Sequence, residues 1–86
     1  MIDLVYVGHL RQDLDMDSEQ EQLPWRGGLT DVASLIELLC RERGDQWSTT
    51  LRQENLLVSV NQAMVKPDHP LADGDEVVFF PPIAGG

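Results

Sequence analysis

The sequence predicts a single small α+β domain, in which one main helix packs on a mixed sheet. Three observations lead there. Eighty-six residues leave room for one hydrophobic core and no second domain. Apolar residues recur at helical spacing in one stretch only, from Val32 to Leu39. Short runs of β-branched and aromatic residues lie on both sides of that stretch. An apolar content of 42% is ordinary for a folded chain and argues against disorder.

The elements follow in order. Ile2 to Val7 predicts the first strand, ended by Gly8. Asp13, Asp15, Asp17, Glu19 and Glu21 then alternate through a polar segment, which predicts an exposed loop entering an edge strand from Glu19 to Leu23. Pro24, Gly27 and Gly28 break the chain. Thr30 predicts the helix N-cap, with Asp31 in the first turn at the positive end of the dipole. Val32, Leu35, Ile36 and Leu39 share one helix face, Arg41 and Arg43 occupy the last turn, and Gly44 supplies a left-handed stop.

Residues 45–54 are polar and predict a loop, with Trp47 and Leu51 plugged into the core. Asn55 to Val60 predicts a strand, and Asn61-Gln62 a two-residue turn into Ala63-Met64-Val65. Pro67, Pro70 and Asp73-Gly74-Asp75 punctuate the next loop. Glu76 to Phe80 is the last strand, since Pro81-Pro82 has no N–H to give a central ladder. With the first and last strands central, this order is the β-grasp (ubiquitin-like) arrangement. Residues 1–80 are then the domain, and residues 81–86 a flexible tail.

Acidic residues outnumber basic ones 15 to 6, giving a net charge of −9. Nucleic acid and anionic membranes are therefore poor partners, and a basic protein is a natural one, although the charge also serves solubility. The N-terminus lacks the basic start and apolar run of a signal peptide. No apolar stretch nears the ~20 residues that cross a bilayer. The single cysteine, Cys40, excludes an internal disulfide and fits a reducing compartment, so a cytoplasmic location is expected.

Candidate chemistry within the domain is sparse. The carboxylates fall in loops and on an outer strand face, where nothing shifts their pKa toward acid–base work. His9 and His69 lie at no metal-ligand spacing from Cys40, and His69 between Asp68 and Pro70 suits a turn. Cys40 sits beside the apolar helix face with no neighbouring base, which suits a core position. No phosphate-cradling glycine pattern is present, so no bound cofactor is expected.

The C-terminus differs. A terminal glycine pair alone fits a frayed end. Here Gly85-Gly86 follows a strand and the stiff Pro81-Pro82 segment, with Ile83 and Ala84 between. Extended, residues 81–86 reach about 20 Å. Lacking Cβ atoms, Gly85 and Gly86 pass where no side chain fits. A slender arm ending in a carboxylate suits delivery into another protein's active site. A carboxylate is a weak electrophile, and this chain has no nucleotide-binding signature to activate it. Activation with ATP would come from a partner.

Val60-Asn61-Gln62, Asp68-His69-Pro70-Leu71, Asp73-Gly74-Asp75-Glu76-Val77 and Phe79-Phe80-Pro81-Pro82, ending in Gly85-Gly86, closely resemble the small subunit of molybdopterin synthase. That family comprises ubiquitin-like sulfur carriers of molybdenum cofactor biosynthesis. The specific match runs from Val60 to Gly86, while the acidic stretch of residues 13–28 and Lys66-Pro67 match no family pattern. The resemblance implies that an E1-like enzyme adenylates Gly86 and that a sulfur donor system converts it to a thiocarboxylate. The tail then delivers sulfur to cyclic pyranopterin monophosphate in the large subunit, within a heterotetrameric synthase. The chain itself would be non-catalytic.

Strand parity adds a docking face. Glu76, Val78 and Phe80 share a side, and Glu76 prefers water, so Phe80 is expected outward. The same argument turns Val7 outward with Asp3 and Val5. Pairing through the Asn61-Gln62 turn sets Met64 opposite Ser59 on that side. Val7, Met64 and Phe80 are thus expected to form an exposed apolar patch beside the tail, of the kind that marks binding surfaces. In the family the resemblance points to, this face meets the activating enzyme and the large subunit, and Pro81, Pro82, Ile83 and Ala84 continue the contact. Two other readings stay open: a carrier for thiamine synthesis or another pathway, and a ubiquitin-like modifier joined to lysines.

Overall fold

Strict alternation in the first and last strands decides which side of the sheet is buried. In β1 (Ile2–Tyr6), Ile2, Leu4 and Tyr6 are fully buried while Asp3 and Val5 are half-exposed. In β5 (Glu76–Phe80), Val77 and Phe79 are buried while Glu76, Val78 and Phe80 are half-exposed. Between them lie α1 (Leu10–Asp13), β2 (Gln20–Leu23), α2 (Val32–Arg43), α3 (Asp45–Leu51), β3 (Leu57–Val60) and β4 (Ala63–Val65). The computed structural model describes residues 1–82.

The five strands are ordered β2-β1-β5-β3-β4. β1 and β5 run parallel at the centre, and every other pairing is antiparallel. This is the β-grasp arrangement. The predicted hairpin is present: Asn61 and Gln62 both take positive φ, 50° and 71°, and Val60 pairs with Ala63. Positive φ at both central positions matches the right-handed strand twist, and here it is reached without the usual glycine.

The main helix forms where its apolar spacing predicts, and Val32, Leu35, Leu39 and Cys40 are buried against the sheet. Its cap differs from expectation. Asp31, not Thr30, is the N-cap: its carboxylate accepts from Ser34 N–H at 2.8 Å, and Ser34 Oγ accepts from Asp31 N–H at 3.0 Å. Two more N–H groups of the first turn, on Val32 and Ala33, donate to the carbonyls of His69 and Pro67 at 3.1 and 2.8 Å. The loop from Pro67 to Pro70, expected as a turn, therefore caps a helix distant in sequence through its main-chain carbonyls.

Two further helices form where none was predicted, the second in place of the loop expected over residues 45–54. Residues 10–13 form the single turn α1, which buries Leu10. Residues 45–51 form α3, entered through Gly44 at φ 94°. Trp47 and Leu51, expected as isolated plugs, are four residues apart on the buried side of α3. The composition of α3 is too polar to signal a helix by itself, and its packing against α2 selects the helical state. Strand bounds also shrink: the first strand ends at Tyr6, the edge strand begins at Gln20, and β3 begins at Leu57.

One carboxylate expected in the exposed acidic alternation is turned to structural use. Glu21 accepts from Arg43 Nη1 and Nη2 at 2.6 and 2.9 Å and from the Tyr6 hydroxyl at 2.7 Å. Arg43 in turn lies over the Trp47 ring, 4.5 Å from its centroid, and Tyr6 packs edge-on to Trp47 and stacks on Phe79, each at 5.5 Å. Burial pushes the Glu21 pKa up, but the Arg43 and Tyr6 hydrogen bonds outweigh it, and the net direction is down. The Arg43 pKa is raised, chiefly by its bond to Glu21. The Tyr6 hydroxyl is pushed up by burial and then by Glu21, and stays protonated as a donor. The cluster ties edge strand β2 to α2 and to both central strands.

Candidate functional site on the outer sheet face

The helices cover one side of the sheet and leave the other open. On that outer side the register builds two apolar rows. Val5 lies opposite Val78, Val78 opposite Ser59, and Ser59 opposite Met64. In the next row Phe80 lies opposite Leu57. The Val7 N–H donates to the Phe79 carbonyl at 3.0 Å, which continues the parallel pairing and sets Val7 beside Phe80.

The parity argument thus agrees with this arrangement at each residue it named. Phe80 and Val7 are half-exposed neighbours, and Met64 is 57% exposed one row away. Ser59 shares that face but is only 4% exposed. Sequence reasoning missed Leu57. It is 43% exposed beside Phe80 and diagonal to Met64, and it joins the two parts of the patch. Its alternation with Ser59 along the strand is the signal that sets it on this face.

The patch ends at the root of the C-terminal segment. Pro81 and Pro82 are half-buried and outside any strand, as their missing N–H groups require. Gly8 supports that root. It sits at φ 65°, and a Cβ placed there would come within 3.2 Å of Pro81 Cγ, so the proline ring lies directly on bare backbone. Ile83, Ala84, Gly85 and Gly86 lie outside the described residues.

The other candidates are structural. Cys40 is buried in the core. Among the described residues no three His, Cys, Asp or Glu side chains converge to hold a metal. No described helix is long and apolar enough to cross a membrane.

Comparison with known proteins gives the family and supports the fold. A family model described as the ThiS family matches residues 5–86. The molybdopterin synthase sulfur carrier subunit of Mycobacterium tuberculosis is 32% identical over 99% of this chain and 96% of its own length. The subunit of the same name from Escherichia coli is 54% identical over 44 residues, which span 51% of this chain and 54% of that protein. The solution structure of Urm1 from Trypanosoma brucei superposes with a TM-score of 0.75 at 24% identity, covering 99% of this chain and 94% of that one, which speaks to the fold. On the matched span and the full-length relative, the chain belongs to the ThiS family, within the molybdopterin synthase sulfur carrier subunits.

Proposed function

We propose that this chain carries sulfur for molybdenum cofactor biosynthesis, as a thiocarboxylate on Gly86. The observation that carries the reading is the shared root of two features. Phe80 faces outward in an apolar patch, and the next residue, Pro81, begins the segment that ends in Gly85-Gly86. A partner that covers the patch receives the terminal carboxylate at a fixed starting point, within the reach of a slim arm.

Residues 1–80 act as the docking body and residues 81–86 as the arm. An E1-like enzyme uses ATP to form the acyl-adenylate of Gly86, since a free carboxylate resists attack. Sulfur from a donor system displaces AMP and leaves the thiocarboxylate. In the large subunit of molybdopterin synthase that sulfur attacks cyclic pyranopterin monophosphate, and hydrolysis returns the Gly86 carboxylate. The chain binds no cofactor, supplies no catalytic group of its own and works in the cytoplasm. Val7, Met64 and Phe80 dock on the partner, followed by Pro81, Pro82, Ile83 and Ala84.

Mass spectrometry of the chain recovered from cells tests the reading. A sulfur-for-oxygen exchange localised to the C-terminal fragment is expected. Recovery of the chain only as isopeptide conjugates with other proteins would make it a modifier instead. Deleting Gly86 is expected to abolish sulfur loading while co-purification with the large subunit persists.

A further inference from the structure

The Pro81 ring lies on a turn that the fold holds from both ends. Gly8 and His9 are the central residues of that turn, which the Leu10 N–H closes onto the Val7 carbonyl at 3.4 Å. Gly8 has φ 65°, and His9 has φ −77° and ψ −1°. A positive φ followed by a negative one is the pattern of a type II′ turn, whose first central position favours glycine. Before the turn, the Val7 N–H donates to the Phe79 carbonyl at 3.0 Å and ties it to the central strands. After it, Leu10 and Leu14 are buried in the core, and the Asp13 carbonyl accepts from Gln46 of α3. The turn is thus a fixed floor.

The chain that leaves β5 has little freedom to choose its own direction. Phe80 is still paired with Leu57 in the sheet. Proline locks φ near −65° at Pro81 and Pro82, and a residue that precedes proline is pushed to extended backbone, which restricts Phe80 and Pro81. A direction set at Pro81 is therefore carried through Pro82. The contact with Gly8 sets it. A Cβ at Gly8 would lie 3.2 Å from Pro81 Cγ and 3.7 Å from Cδ, so a side chain there moves the ring by a few tenths of an ångström. A shift of ~0.3 Å across one ~3.8 Å Cα step tilts the chain by about 5°, which displaces the tip of a ~20 Å arm by about 1.5 Å. A misplacement of about 1 Å can cost about a hundredfold in a reaction that needs aligned atoms.

We propose that Gly8 is a positioning residue for the reactions of Gly86: its bare backbone seats Pro81 and aims residues 81–86 at the partner's active site. This role rests on the sulfur-carrier reading above. Gly8 touches no reacting atom and acts through Pro81. Two tasks are thereby divided between neighbouring parts of the surface. The apolar patch sets how tightly the partner holds the body, and the Gly8–Pro81 contact sets how fast the bound arm reacts.

The test is ATP–pyrophosphate exchange catalysed by the E1-like enzyme of the same organism, in which a Gly86 carboxylate oxygen attacks the α-phosphorus of ATP and pyrophosphate leaves. The intact chain is compared with Gly8→Asn, Pro81→Ala and the double variant. Asparagine tolerates positive φ, so the turn persists and the added Cβ is the change. Pro81→Ala removes the ring atoms that this Cβ meets. Gly8→Asn is expected to lower kcat about three- to tenfold, because the ring and the turn share the displacement, with KM within about twofold. Its Tm should fall by no more than about 5 °C. Added to Pro81→Ala, the same substitution is expected to lower kcat by less than about twofold. A parental kcat in Gly8→Asn overturns the proposal, as does a rise in KM alone or a pair of losses that multiply in the double variant. Should Gly8→Asn fail to fold, Pro81→Ala decides: a parental kcat there overturns the seat, and a lowered kcat at parental Tm supports it. An intact chain that supports no exchange overturns the activation reading, and this role with it.

Discussion

Phe79 and Phe80 are adjacent and chemically identical, yet the fold gives them opposite work. Phe79 is fully buried and stacked on Tyr6. Phe80 points through the other side of the sheet and stays half-exposed beside Val7 and Leu57. A period of two residues is all that separates them. One side of the sheet maintains the domain, and the other, next to Pro81, stays open and carries the proposed docking patch. Variants on the two sides should therefore separate stability from association.

The largest expected effect is on the inner side. Phe79→Ala removes a ring packed on all sides and should cost about 3–5 kcal/mol, much of the stability of a domain this small. Urea denaturation followed by circular dichroism would measure it. A loss below about 1 kcal/mol would break the assignment of Phe79 to the core.

Glu21→Gln comes next, because it leaves Arg43 partly buried without its counter-charge. The expected loss is about 1–2 kcal/mol near neutral pH. The pH dependence has a definite sign. The folded pKa of Glu21 lies below its ordinary 4.5, so its contribution is present above that value and is lost as pH falls through the folded one. The Tm gap between parent and variant should close on acidification. A gap that persisted at low pH would show that geometry, rather than charge, holds β2 in place.

Asp31→Ala deletes the α2 N-cap at an expected cost of about 1 kcal/mol. Thr30→Ala should cost less, since the Thr30 backbone, not its side chain, donates to Ser34 Oγ. Equal losses from the two would return the cap to Thr30. Smallest of all is Phe80→Ser, which should change folding stability by less than about 1 kcal/mol while removing partner binding. General unfolding of that variant would place Phe80 with Phe79 and dissolve the contrast between the two sides.

Most of the architecture was legible because local rules suffice for it. Alternation in Ile2–Tyr6 and Glu76–Phe80, the i, i+3, i+4 spacing from Val32 to Leu39, and the two-residue turn at Asn61-Gln62 each constrain their own segment. The errors fall where packing overrules composition. The polar residues of α3 become helical because Trp47 and Leu51 reach the core only from one side of a helix. Glu21 reads as one more acid in an exposed alternation until folding brings Arg43 and Tyr6 to it.

The sequence by itself determined the order of strands and helix, the outward face of Phe80, and a glycine pair that follows two prolines. These follow from periodicity and backbone chemistry, which act over a few residues. Only the tertiary structure decided that His69 and Pro67 cap α2, that Leu57 completes the apolar patch, and that Gly8 seats Pro81. Each of those contacts joins residues far apart along the chain. Such contacts are set by sheet register and layer packing, which no local pattern encodes.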